Sequence, residues 1–256
     1  MKNQISLFLT LLLCFALASC GAKQPEQIAD DFDLAELSNP FIGKWQSDIP
    51  SAGMTLIFDY KADGTFDYEM VGVPAEEGGV GSGGYVVYDN IQVTWLDFEG
   101  AAAYTFEVAD NDTINVTELE PNDSGELVPG NTAPFTRVEG SEVNKKDTLF
   151  SLNNPLIGKF GATIPDEGTW TFEFRTDGSS EFVLADVLAE QGVAPGCYVV
   201  FGDKLAVYMT FGGANYLKAY SFAVADTDTL TVSELAPNET GELVPGNTLP
   251  FIRVAE

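Results

Sequence analysis

The chain has 256 residues, with 12 Lys+Arg against 39 Asp+Glu, no His and a formal net charge of −27. That balance argues against nucleic acid and anionic lipid headgroups as partners, because both are held by Lys and Arg neutralising phosphate. The lack of His removes the commonest general base, the usual zinc ligand and any Ser-His-Asp or Cys-His nucleophile, so the sequence points away from an enzyme and asks for no cofactor.

In chain order, Lys2 precedes an apolar run from Ile5 to Ala18 that is too short to span a bilayer and fits an export signal over residues 1–19. Leu17, Ala18, Ser19 and Cys20 close this run, and their order resembles the lipobox of bacterial lipoproteins. The resemblance implies cleavage before Cys20, acylation of its thiol and a further chain on the new amino terminus. Two or more acyl chains anchor stably where one binds marginally. The expected location is therefore the cell envelope, with the protein held to a membrane by lipid; an ordinary cleaved signal with a chance Cys is the alternative. Residues 20–32, acidic and carrying Pro25, read as a tether. Cys14 leaves with the signal and Cys20 is lipidated, so Cys197 stands alone without a disulfide partner and reads as a small buried filler.

The rest of the chain is written twice. Asn39-Pro40-Phe41-Ile42-Gly43-Lys44-Trp45 returns as Asn154-Pro155-Leu156-Ile157-Gly158-Lys159-Phe160, and Leu119 to Val138 agrees with Leu235 to Val254 at 15 of 20 positions. A period this long marks a duplicated domain, because one copy is large enough to bury its own core. The expected domains are 33–139 and 148–256, joined by a polar linker over 140–147.

Both copies alternate apolar and polar residues and sustain no helical period, which predicts an all-β protein. In the first copy Leu56, Phe58 and Tyr60 share one face, Asp63-Gly64 marks a hairpin, and Phe66, Tyr68 and Met70 continue that face. Tyr104, Phe106 and Val108 follow, then Ile114 and Val116 after Asp110-Asn111-Asp112. Adding 43–47, 85–88, 91–98 and 135–138 gives eight strands, and short turns between neighbours favour an up-and-down antiparallel meander. Closing such a sheet into a small barrel removes its exposed edges. The rival is a two-sheet Greek-key sandwich, which the absence of an immunoglobulin Cys-Trp-Cys pattern disfavours.

At this point the residues resemble the lipocalin-like domains of bacterial lipoproteins, over nearly all of both copies. The markers are Gly43-Lys44-Trp45, the hairpin Phe58 to Phe66, the strand start Gly84-Tyr85 and the closing Phe135-Thr136-Arg137-Val138. The resemblance implies two tandem eight-stranded antiparallel barrels. It also implies a barrel-closing stack of Arg137 on Trp45, repeated by Arg253 on Phe160, where Phe replaces the Trp.

An eight-stranded barrel is either filled by side chains or wide enough for one small molecule. A surviving cavity would take a small apolar ligand oriented by Tyr hydroxyls. The candidate ligand residues are Tyr68, Tyr85, Trp95 and Tyr104 in the first copy and Tyr198, Tyr208 and Tyr220 in the second, with Trp95 and Tyr208 on fifth strands that face either the wall or the outside. Gly-rich 73–84 and its loose match 188–196 read as a lid or a slack connector. The loops 121–134 and 237–250 hold Gly-Glu-Leu-Val-Pro-Gly-Asn-Thr unchanged, so Glu126, Asn131, Glu242 and Asn247 are alternative contacts for a protein partner. Asp110-Asn111-Asp112 and Asp226-Thr227-Asp228 lack full calcium-loop spacing and read as hairpins rather than metal sites. Two functions compete: a lipid-anchored binder of a small hydrophobic ligand, and a surface module with filled barrels that engages a protein through its loops.

Overall fold

The computed structural model describes residues 33–49, 53–97, 100–141, 152, 154–164, 168–184, 192–238 and 242–254. The expected signal, Cys20, the tether, most of the linker and residues 188–191 lie outside this set. The first copy forms β1 (Gly43–Ile49), β2 (Met54–Tyr60), β3 (Thr65–Val71), β4 (Val80–Tyr88), β5 (Ile91–Leu96), β6 (Gly100–Asp110), β7 (Thr113–Pro121) and β8 (Leu127–Arg137). The second forms β9 (Gly158–Ile164), β10 (Gly168–Phe174), β11 (Ser179–Leu184), β12 (Val193–Phe201), β13 (Lys204–Phe211), β14 (Ala214–Val224), β15 (Thr229–Pro237) and β16 (Leu243–Arg253). Each set closes into an eight-stranded antiparallel barrel in which every strand pairs with its sequence neighbours, and the last returns to the first. The architecture is thus two tandem up-and-down barrels.

Local chemistry sets the turns. Asp63 accepts from the Thr65 backbone N–H and hydroxyl, and Asp177 does the same for Ser179, so an Asp side chain fixes the hairpin beside Gly64 or Gly178 in each copy. Closure is brief by comparison. β8 meets β1 only through Trp45 opposite Arg137 and Gln46 opposite Thr136. Much of β8 is therefore a free edge, which accommodates Pro129 and Pro134.

Two stretches differ from the sequence reading. The Gly-rich 73–84 segment is not all connector: Val80 to Gly84 belong to β4. A Cβ at Gly81 would collide with the Tyr68 ring and one at Gly83 with the Phe66 ring and the Trp95 carbonyl, so these glycines let aromatic rings lie across the strand. The repeated loop 121–134 is likewise mostly hairpin, with Pro121 opposite Leu127 and Leu119 opposite Pro129 beyond a bulge after Thr117.

The barrels share a core outside both lumens. Val86, Ile91, Val93, Trp95, Ala103, Leu119 and Leu127 from the first copy pack with Cys197, Val199, Ala206, Tyr208 and Leu235 from the second. Strands β4, β5 and β6 lie against β12, β13 and β14, so equivalent walls meet. In this seam the repeated loop has a structural job, because Leu127 is buried there and its counterpart Leu243 packs against the same cluster. Cys197 is fully buried in the seam, where burial pushes its thiol well above the ordinary range.

Candidate functional site

One end of each barrel is sealed. Phe41, contributed by the segment ahead of β1, is fully buried and packs edge-on against Phe106 with ring centroids 5.0 Å apart. Trp45 donates its indole N–H to the Phe41 carbonyl at 2.6 Å, and the Arg137 guanidinium carbon lies 4.2 Å from the Trp45 ring centroid. Only 5% of the Arg137 side chain is exposed; burial pulls its pKa below the ordinary value and Asp112 counteracts this. Arg253 stands 4.5 Å from the Phe160 ring and instead donates its Nη1 to the Ile157 carbonyl at 3.0 Å. The acidic turns meet these arginines. Asp110 accepts from the Asp112 N–H and Asp226 from the Asp228 N–H, while Asp112 and Asp228 approach Arg137 and Arg253 at 3.6 and 4.0 Å.

Tyr85 and Tyr198 belong to this sealed end rather than to a ligand wall. Each hydroxyl donates to a hairpin carbonyl, Tyr85 to Lys61 at 2.7 Å and Tyr198 to Arg175 at 2.8 Å, and each accepts from the amide of Asn39 or Asn154. Burial raises both phenols, Tyr198 to about 12. Their polar ends are committed to holding the barrel floor, and neither is among the residues lining the cavities of the two lumens. Trp95 and Tyr208 are also displaced from the expected ligand set. Both point outward into the seam, because the outer faces of β5 and β13 are buried by the neighbouring barrel.

Above the first floor is a cavity of about 430 Å³ inside barrel one, lined by residues of which Phe58, Tyr68, Leu96, Tyr104, Val116 and Phe135 give the apolar wall. A volume of this size lies within the roughly 300–1,000 Å³ range of small-molecule sites. The second barrel holds a cavity of about 340 Å³, where Tyr220 and Trp170 line the wall. Of the seven candidate ligand residues, Tyr68 and Tyr104 are brought together in one lumen and Tyr220 stands in the other. Asn131 and Asn247, from the repeated loops, face these lumens.

Sequence reasoning missed the polar part of the first lumen. β5 is buried on every residue, with Ile91, Val93 and Trp95 facing the seam and Gln92 and Thr94 facing the cavity. Gln92 is 1% exposed and Thr94 3%. The Tyr60 hydroxyl is fully buried close to Gln92, and burial raises its pKa. Gln92 Nε2 and Thr94 Oγ1 have no partner among the described residues. The signal in the sequence was the pair Gln92 and Thr94 alternating with large apolar residues in a strand that otherwise reads as inward-facing on the apolar side. Among the described residues no group of acidic or Cys side chains is placed to hold a metal ion.

Compared with protein-family models and with curated proteins, the chain matches none. The two tandem barrels and the first lumen are therefore the basis for a functional reading.

Proposed function

We propose that this protein is a lipid-anchored, non-enzymatic component of the cell envelope whose first barrel binds a small, mostly apolar ligand. The observation that carries the reading is the 430 Å³ cavity between aromatic walls and a sealed floor. Removing an apolar molecule from water into such a space is worth about 25 cal/mol per Å² of apolar surface buried. The alternative, protein recognition through the repeated loops, is less well supported, since Leu127 and Leu243 of those loops are engaged between the barrels.

The neutral fluorophore N-phenyl-1-naphthylamine should brighten saturably on mixing with the protein. Ala133 lines the first cavity where the second has Leu249, and Ala133→Phe fills that space. The substitution should weaken the probe's binding at least about tenfold, equivalent to roughly 1.4 kcal/mol, while the melting temperature holds. Non-saturating fluorescence, or a folded variant that binds equally well, would exclude the first lumen as the site.

The anchor is supported by the Leu17-Ala18-Ser19-Cys20 pattern. Metabolic labelling with an alkyne analogue of palmitate should tag the wild-type protein in the membrane fraction and leave Cys20→Ser untagged. Label retained by the variant would place the lipid elsewhere or remove it from the account.

A further inference from the structure

The two lumens are built from corresponding residues but are not chemically alike. Tyr85 stands opposite Thr94, and Tyr198 opposite Val207, so the registers make Thr94 and Val207 equivalent. By the same register Gln92 corresponds to Leu205, while Tyr60 and Phe174 are the equivalent ends of β2 and β10. The second barrel thus closes this part of its interior with Leu205 and Val207, buried in its apolar core. The first barrel puts an amide and a hydroxyl there.

These polar groups are costly as they stand. A buried donor without a partner forfeits its hydration, and an isosteric apolar side chain would avoid the loss. Gln92 and Thr94 are two residues apart on one strand, so both side chains lie on the same face and bound the same cavity. Gln92 Nε2 meets no acceptor among the described residues, so its N–H₂ group is left to offer hydrogen bonds. What is missing is an acceptor.

A charged acceptor fits poorly. Glu118 also lines the first cavity. Its counterpart Glu234 is met by Lys218 at 2.8 Å, but the register that sets Lys218 opposite Val207 sets Ala102 opposite Thr94. The first barrel therefore has no lysine at that position to balance an anionic head, and the chain's net charge of −27 opposes one further.

We infer that the first barrel selects an uncharged, predominantly apolar ligand carrying a carbonyl or comparable oxygen, which Gln92 and Thr94 bind by donating hydrogen bonds. This rests on the lumen being the binding site and adds the chemistry of the ligand's head. An apolar molecule without the oxygen fills the same walls but leaves both donors unpaired. A site built around buried donors discriminates against such an analogue more strongly than an apolar pocket discriminates by shape.

Calorimetric titration of the whole soluble chain with three naphthalenes of like size tests this. 2-Acetylnaphthalene supplies a neutral carbonyl, 2-ethylnaphthalene lacks it, and 2-naphthoate carries a carboxylate. The ketone should bind at least about tenfold more tightly than either of the others, the expected consequence of satisfying one buried donor. Tyr60→Phe/Gln92→Leu/Thr94→Val installs the second barrel's residues and should reduce ketone affinity to that of the ethyl compound, whose own binding is unchanged or stronger. A thermal melt establishes that this variant is folded. If it is not, Thr94→Val alone should still narrow the ketone preference. Equal binding of ketone and ethyl compound to the wild type overturns the head-group inference and leaves apolar binding intact. Naphthoate binding as tightly as the ketone overturns the requirement for a neutral head. If none of the three binds, the lumen reading falls with it.

Discussion

Replacing Val86 with Asp should lower the melting temperature by roughly 10 °C, corresponding to about 4 kcal/mol for a chain of this size. Val86 is fully buried, yet it faces the other barrel rather than its own lumen. An aspartate there would lose apolar contact and bring a carboxylate against Trp95, Leu119, Leu127 and Val199 of the seam. The variant should also let iodoacetamide reach Cys197, which is sealed in the wild-type seam and should react only after denaturant is added. Calorimetry and mass spectrometry provide the two measurements. An unchanged melting temperature with Cys197 still protected would mean that the barrels do not hold each other through these residues.

Trp45→Ala should be comparably damaging, at about 3 to 5 kcal/mol. The indole is fully buried, donates a hydrogen bond to the Phe41 carbonyl and supplies the face under Arg137. Removing it opens a cavity and strands a guanidinium whose Nη1 and Nη2 have no partner among the described residues. Phe160→Ala should cost less. Arg253 retains its hydrogen bonds to Ile157 and Pro155, and its side chain is 34% exposed. Denaturant midpoints for both variants test the order. A larger loss at Phe160 would show that the backbone contacts of Arg253 do not substitute for the ring.

The strand pattern was most readable where one face of a strand meets a lumen and the other meets water. Phe58, Tyr60, Phe66 and Tyr68 alternate with polar residues on β2 and β3, and the Asp63-Gly64 hairpin joins them as the sequence implied. Alternation became misleading where a second barrel covers the outside. On β5 the large apolar residues Ile91, Val93 and Trp95 face outward and Gln92 and Thr94 face inward, opposite to the polarity of an isolated barrel wall. Alternation alone therefore puts Trp95 and Tyr208 among lumen candidates and hides the polar side chains of the β5 wall, Gln92 and Thr94. The glycines of β4 misled for another reason. Gly81 and Gly83 make room for rings on β3, and a contact between strands leaves no mark in the local composition. Tyr68, Tyr104 and Tyr220 were legible as lumen residues because their strands follow the simple alternation.

Joining the copies through matching walls has a consequence for how a duplicated gene can change. Val86 and Val199, Trp95 and Tyr208, and Leu119 and Leu235 are corresponding residues that now serve one another's surroundings. An alteration to either exterior is felt by both halves, which restrains independent drift there. The interiors are under no such mutual restraint, as Gln92 against Leu205 and Thr94 against Val207 already attest. Tandem duplication in this arrangement keeps the twins fitted together while leaving each interior free to change its own chemistry.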